Sequence, residues 1–229
     1  MQFNRVVSFG DSFTWGTDLD DCSEDRTGYS KKTWPALIAK YYNCRYQSLA
    51  MGGSSNLGIL RWLLTSIDKK DISEQDFVII NWTWIDRCDI FDNSTQYVSK
   101  NLDHDYGWNT IRPDSQTEIA SLYYKNFYSD LSSKFETLKN IIVAIDVLKL
   151  YNINYLMTCQ DRLTIDVDFF NPEYINLLIA RVQKTLFWFS NNGFYNWALS
   201  NNYAVGKTGH PLEEAHYAAF EYIKNELNL

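Results

Sequence analysis

The chain has 229 residues, 45% hydrophobic and 21% charged, enough for one well-buried domain with the composition of a soluble globular protein. Its formal net charge of -7 argues against nucleic-acid binding, and no apolar run approaches the roughly 18 residues of a membrane span. Cys22, Cys44, Cys88 and Cys159 are scattered without a C-x-x-C pair, and Met1 to Arg5 lack the basic start and apolar core of a signal peptide, so reduced thiols and a cytoplasmic location are expected.

The run Phe3 to Phe9 reads as a buried strand near the N-terminus. Gly10 interrupts it, and Asp11 and Ser12 follow where a central strand would emerge at its C-terminal edge. Open α/β sheets bind ligands at that edge, so a serine held there on a turn suits a nucleophile. Residues 17–30, with Asp18, Asp20, Asp21, Glu24 and Asp25, read as a solvated surface loop in preference to a metal site. Trp34, Leu37, Ile38 and Tyr41 recur at helical spacing within Lys31 to Tyr42, with Thr33 and Pro35 at the start. A short strand from Cys44 to Leu49 leads into the polar turn Met51-Gly52-Gly53-Ser54-Ser55-Asn56. Leu57, Leu60, Leu64 and Ile67 then share one helical face. The glycine turn therefore precedes a helix N-terminus, where unpaired backbone N–H groups can stabilise an anion, a reaction's oxyanion included. Asp76 to Trp82 reads as a buried parallel strand ending in Asn81-Trp82-Thr83-Trp84.

Residues 85–117 show no clear period and are expected to form a long loop, a lid or a substrate-binding insertion. Within them His104, between Asp103 and Asp105, lacks a second spaced ligand and reads as a solvated histidine. Leu122 to Leu150 reads as one long helix and Tyr155-Leu156-Met157 as the next strand. Pro172 is expected to open a helix whose stripe Ile175, Leu178, Val182, Leu186 and Phe189 ends near Asn191-Asn192-Gly193, a core face and not a cofactor box. Pro211, followed by Glu213 and Glu214, marks the start of the last helix, with proline at the first helical position and acids complementing the dipole. His210 then lies on the loop entering that helix, while His216 lies inside it on the face of Phe220, Ile223 and Leu227 as a packing or hydrogen-bonding residue. The turn Gly52-Gly53-Ser54-Ser55 matches neither the Walker nor the dinucleotide-binding spacing. No cofactor and no metal are expected.

Three blocks in this order, Phe9-Gly10-Asp11-Ser12, Gly53-Ser54-Ser55-Asn56 and His210-Pro211, resemble the sequence blocks of the GDSL/SGNH hydrolases across nearly the whole chain. The resemblance implies a single α/β domain over residues 1–229, a flavodoxin-like three-layer α/β/α sandwich with a mostly parallel sheet of about five strands, and hydrolysis of an ester or acyl group. Carried over by position, Ser12 is the nucleophile, His210 the general base, and the Ser12 and Gly53 N–H groups the oxyanion donors. Asp11 and Asn56 are placed near the site as supporting polar residues.

The chain departs from the family pattern twice. The Gly-x-Asn-Asp block is replaced by Asn81-Trp82-Thr83-Trp84, which leaves Asn81 or Thr83 as the third oxyanion donor. Lys207 stands where an aspartate usually precedes the histidine; a backbone carbonyl or a carboxylate from another loop could orient His210 instead, and the sequence does not say which. The expected partner is a small-molecule or glycan ester. Aromatic residues make up 16% of the chain, which reads first as a core of large residues and second as exposed rings that stack on sugar faces; on the second reading, small acyl groups on a carbohydrate are the preferred substrate class. The alternative is an SGNH-fold glycan-binding or structural protein with weakened chemistry.

Overall fold

Strand β1 (Arg5–Phe9) lies in the middle of a parallel sheet with β2 (Arg45–Ser48) on one side and β3 (Asp76–Trp82) on the other. Strand β6 (Asn154–Cys159) extends the sheet beyond β3 in the order β2-β1-β3-β6. A computed structural model describes residues 2–22, 28–91, 108–166 and 171–227. The fifth place in the sheet is held by a single parallel bridge from Met157 to Leu186, with Phe187 N–H donating to the Met157 carbonyl at 2.7 Å.

Alternate residues of these strands face two separate cores, as the period of two requires when both faces of a sheet are covered. Val7, Phe9, Val78, Ile80, Trp82 and Met157 pack against α3 (Asn56–Asp68), α5 (Asp130–Leu150) and α6 (Glu173–Gln183). Val6, Phe77, Ile79 and Leu156 pack against α2 (Trp34–Tyr41), α7 (Phe194–Ser200) and α8 (Glu213–Leu227). The result is the expected three-layer α/β/α sandwich. No helix among the described residues is long and apolar enough to cross a membrane.

Several expectations are corrected. The segment expected to be irregular contains an antiparallel pair, β4 (Cys88–Phe91) with β5 (Trp108–Ile111). Residues 92–107 between them, including His104, lie outside the described residues. The long helix is two helices, because Ser129 caps α5 with its side chain and so ends α4 (Glu118–Asn126) behind it; a serine oxygen that accepts an N–H favours a new helix start. Helix α6 stops at Gln183, although its apolar stripe continues. Leu186 and Phe189 are buried beyond the helix, Leu186 bridged to Met157 of β6 and Phe189 to Asn192, and a helical period alone does not distinguish that from another turn of helix. Pro211 forms a bridge with Val205 and precedes α8, whose first turn holds Glu213 and Glu214.

Candidate active site

The chain leaves β1 through Gly10 and enters the four-residue helix α1 (Ser12–Trp15), capped by the Asp11 side chain through Phe13 N–H. Glycine is required at position 10 because a Cβ there would lie 2.3 Å from Thr14 Oγ1 and 3.0 Å from the Asn81 carbonyl. The turn thus lifts Ser12 off the C-terminal edge of the sheet. Its Oγ is 2.8 Å from His210 Nε2, and the His210 ring rests on Phe13 with centroids 4.4 Å apart. Burial lowers the His210 pKa below its ordinary value, outweighing the nearby charges of Asp11 and Asp18. The imidazole is therefore neutral at physiological pH and able to accept a proton.

The glycine turn is tied to the same edge. Met51 N–H donates to the Gly10 carbonyl at 3.0 Å, and Ser55 caps α3 by accepting Gly58 N–H at 2.9 Å. Gly53 has φ 86°, a left-handed conformation that costs little only for glycine, and a Cβ built there meets nothing within 4 Å. Space is therefore open beside it. Neither Ser12 N–H nor Gly53 N–H donates to another described group.

Asp11 is fully buried beneath the serine. Its Oδ1 accepts from Phe13 N–H and Gln160 Nε2, each at 3.1 Å. Its Oδ2 accepts from Thr83 Oγ1 at 2.8 Å and pairs with Arg87 Nη1 at 3.1 Å. The same Arg87 nitrogen donates to the Ser54 carbonyl at 2.9 Å, so one cation ties the serine turn to the glycine turn. Asn56 clasps the end of β3: its Oδ1 accepts Thr83 N–H at 2.8 Å, and its Nδ2 donates to the Thr83 carbonyl and Thr137 Oγ1 at 3.1 Å each.

The structure therefore brings Ser12, His210, Gly53, Asp11, Asn56 and Thr83 into one connected site, with different tasks. The Thr83 hydroxyl is committed to Asp11. Asn81 is fully buried, and its amide has no hydrogen-bond partner among the described residues. Neither side chain is presented to an acyl oxygen in this arrangement. Asp18, expected in a solvated loop, instead has its Oδ2 3.4 Å from His210 Nδ1. Arg87 and Gln160 carried no sequence signal, since their partner Asp11 is distant in the chain.

Serine loop after the first strand, glycine turn after the second and histidine loop before the last helix, on a parallel sheet covered on both faces, define the fold of the GDSL/SGNH hydrolases. Three solved structures are similar at a TM-score of 0.50. A psychrotrophic esterase from Pseudoalteromonas sp. is 13% identical over 99% of this chain and 100% of its own. An acetyl xylan esterase from the rumen bacterium Butyrivibrio proteoclasticus is 12% identical over 100% of this chain and 65% of its own. A carbohydrate esterase family 2 enzyme with a carbohydrate binding domain, from Corynascus thermopiles, is 15% identical over 97% of this chain and 65% of its own. No protein-family model and no curated protein matches the chain.

Proposed function

We propose that the protein is a serine hydrolase that cleaves an ester through an acyl-enzyme on Ser12. The observation that carries this reading is the 2.8 Å contact between Ser12 Oγ and His210 Nε2 at the ligand-binding edge of the sheet. His210 takes the hydroxyl proton as Oγ attacks the carbonyl carbon, and the developing oxyanion is held by the Ser12 and Gly53 N–H groups. Collapse of the tetrahedral adduct expels the alcohol, which receives the proton from His210. A water then gives a proton to His210 and attacks the acyl carbon, releasing the acid and returning the proton to Ser12. Each prepositioned oxyanion donor contributes about 3 kcal/mol to such a step.

A short acyl group on a carbohydrate is the substrate class we favour. Two of the similar structures are carbohydrate esterases, and a cavity of about 560 Å³ begins at Trp84 and runs along Asp86, Tyr128, Asp130 and Lys134. Trp84 packs edge-on against Phe13, the neighbour of Ser12. Aromatic faces flanked by carboxylates suit a polyhydroxylated leaving group. The alternative, a glycan-binding protein with weakened chemistry, draws support from the commitment of Thr83 to Asp11 and the burial of Asn81.

The test is hydrolysis of a short-chain aryl acetate by the wild type, Ser12→Ala and His210→Ala. Turnover lost in both variants, with folding intact by circular dichroism, is the expected result. Wild-type turnover in Ser12→Ala would overturn the assignment. Saturable binding of sugars by a folded protein that cleaves no acetylated sugar would favour the alternative.

A further inference from the structure

Resting on the serine-hydrolase reading, we propose that Asp18, acting through the hydroxyl of Thr208, is the carboxylate that positions and polarises His210. The position usually occupied by an aspartate holds Lys207, which is exposed. The alternative partner comes from the loop that follows the nucleophile.

Proton inventory fixes the direction of each bond. For His210 Nε2 to accept from Ser12, the ring proton must sit on Nδ1. Thr208 Oγ1 lies 2.8 Å from Nδ1 and also 2.8 Å from Asp18 Oδ2. An ionised carboxylate can only accept, so the single Thr208 hydroxyl proton goes to Asp18, and a Thr208 lone pair receives Nδ1–H. The relay thus runs Ser12 to His210 to Thr208 to Asp18. The direct 3.4 Å approach of Asp18 Oδ2 to Nδ1 adds charge attraction when the imidazolium forms. Burial opposes ionisation of Asp18, but hydrogen bonds from the Thr208 hydroxyl and N–H and from His210 N–H bring its pKa below the ordinary carboxylate value.

The surrounding backbone is built around this carboxylate. Asp18 is a non-glycine residue at φ 73°, a left-handed conformation that aspartate adopts more readily than most L residues because its short polar side chain bonds nearby groups. Thr208 N–H donates to Asp18 Oδ2 at 2.8 Å, and Asp20 N–H donates to Glu213 Oε1 at 2.9 Å. The loop is therefore moored on both sides of His210. Gly206 faces Asp18 so closely that a Cβ there would lie 2.4 Å from Asp18 Cβ. Any larger residue at 206 would displace the carboxylate.

The test compares Thr208→Val, Thr208→Ser, Asp18→Asn and Lys207→Ala in aryl acetate hydrolysis, alongside Ser12→Ala, and follows the His210 ring protons by NMR across pH. Thr208→Val is expected to lower kcat at least about 10-fold with KM unchanged, and Thr208→Ser to restore it, because only the hydroxyl is needed. Lys207→Ala keeps wild-type kcat. Asp18→Asn lowers kcat and moves the acid limb of kcat/KM to lower pH, since removing the negative charge destabilises the imidazolium. The NMR titration of His210 must move the same way.

Wild-type kcat in folded Thr208→Val, or an unmoved His210 titration in Asp18→Asn, would overturn the proposal while leaving the Ser12 assignment standing if Ser12→Ala is dead. Turnover persisting in Ser12→Ala would instead remove the reading on which it rests. Should Asp18→Asn fail to fold, the Thr208→Val and Thr208→Ser pair decides. Should the wild type cleave no ester tried, the His210 titration in Thr208→Val and Asp18→Asn decides.

Discussion

Replacing Arg87 by methionine isolates the energetic core of the site. Asp11 is fully buried, and the Arg87 side chain is 8% exposed at 3.1 Å from it. Methionine keeps much of the side-chain volume against Trp84, over whose ring the guanidinium carbon sits at 4.9 Å, but strands the carboxylate. Breaking a buried pair by removing one partner costs about 3–5 kcal/mol, because the remaining charge stays out of water. With a urea dependence of about 3 kcal/mol/M, the unfolding midpoint should fall by about 1 to 1.7 M. Adding Asp11→Asn to Arg87→Met removes the stranded charge, and the amide oxygen can still accept from Phe13 N–H. The double variant should therefore be more stable than Arg87→Met alone. Urea titrations followed by tryptophan fluorescence measure all four members of the cycle. An unchanged midpoint for Arg87→Met, or a double variant less stable than that single one, would refute the claim that Arg87 chiefly neutralises Asp11.

Two further predictions concern histidines. Because burial lowers the His210 pKa, the acid limb of kcat/KM should have its midpoint below the ordinary 6.5, and activity should be flat through neutrality; a midpoint above 6.5 in a pH–rate profile contradicts this. His216 is fully buried on α8, accepts Trp34 N–H through Nδ1 at 3.2 Å, and has its pKa lowered by burial to about 3. Its folded pKa lies below its unfolded one, so its contribution is complete above about 6.5 and is lost at about 1.4 kcal/mol per pH unit as pH falls toward 3. His216→Asn, which retains an acceptor, should flatten the stability profile over that window in chemical denaturation. Parallel wild-type and variant profiles would dismiss the idea.

The layers of the fold and the turns that carry Ser12 and Gly53 were legible because they are local. Gly10 followed by Asp11 and Ser12, and Gly53 before a helix start, announce their conformations through residues adjacent in sequence. The chain at the fifth place, a single bridge where about five strands were expected, was harder to read, since Leu186 and Phe189 prolong the apolar stripe of α6 while lying beyond its end. The break at Ser129 was hidden by apolar residues that keep helical spacing on both sides of it. The β4–β5 pair consists of short strands separated by a long intervening segment, which leaves little period to read. Arg87, Gln160 and Asp18 were invisible for another reason: their roles come from partners far away in sequence. An aspartate in an acidic stretch looks solvated until the fold brings Thr208 and His210 against it.

The close fit of Gly206 against Asp18 also has a consequence for recognising such proteins from sequence. On the proposed Asp18–Thr208–His210 relay, a carboxylate supplied from beside the serine releases the position three residues ahead of the histidine, held here by Lys207, from its usual requirement. The constraint passes instead to a dispersed signature: aspartate at position 18 behind the Gly-Asp-Ser turn, and Gly-x-Thr-x-His at 206 to 210. Chains sharing that signature would form a recognisable group even where the customary Asp-x-x-His spacing is absent and overall identity is low.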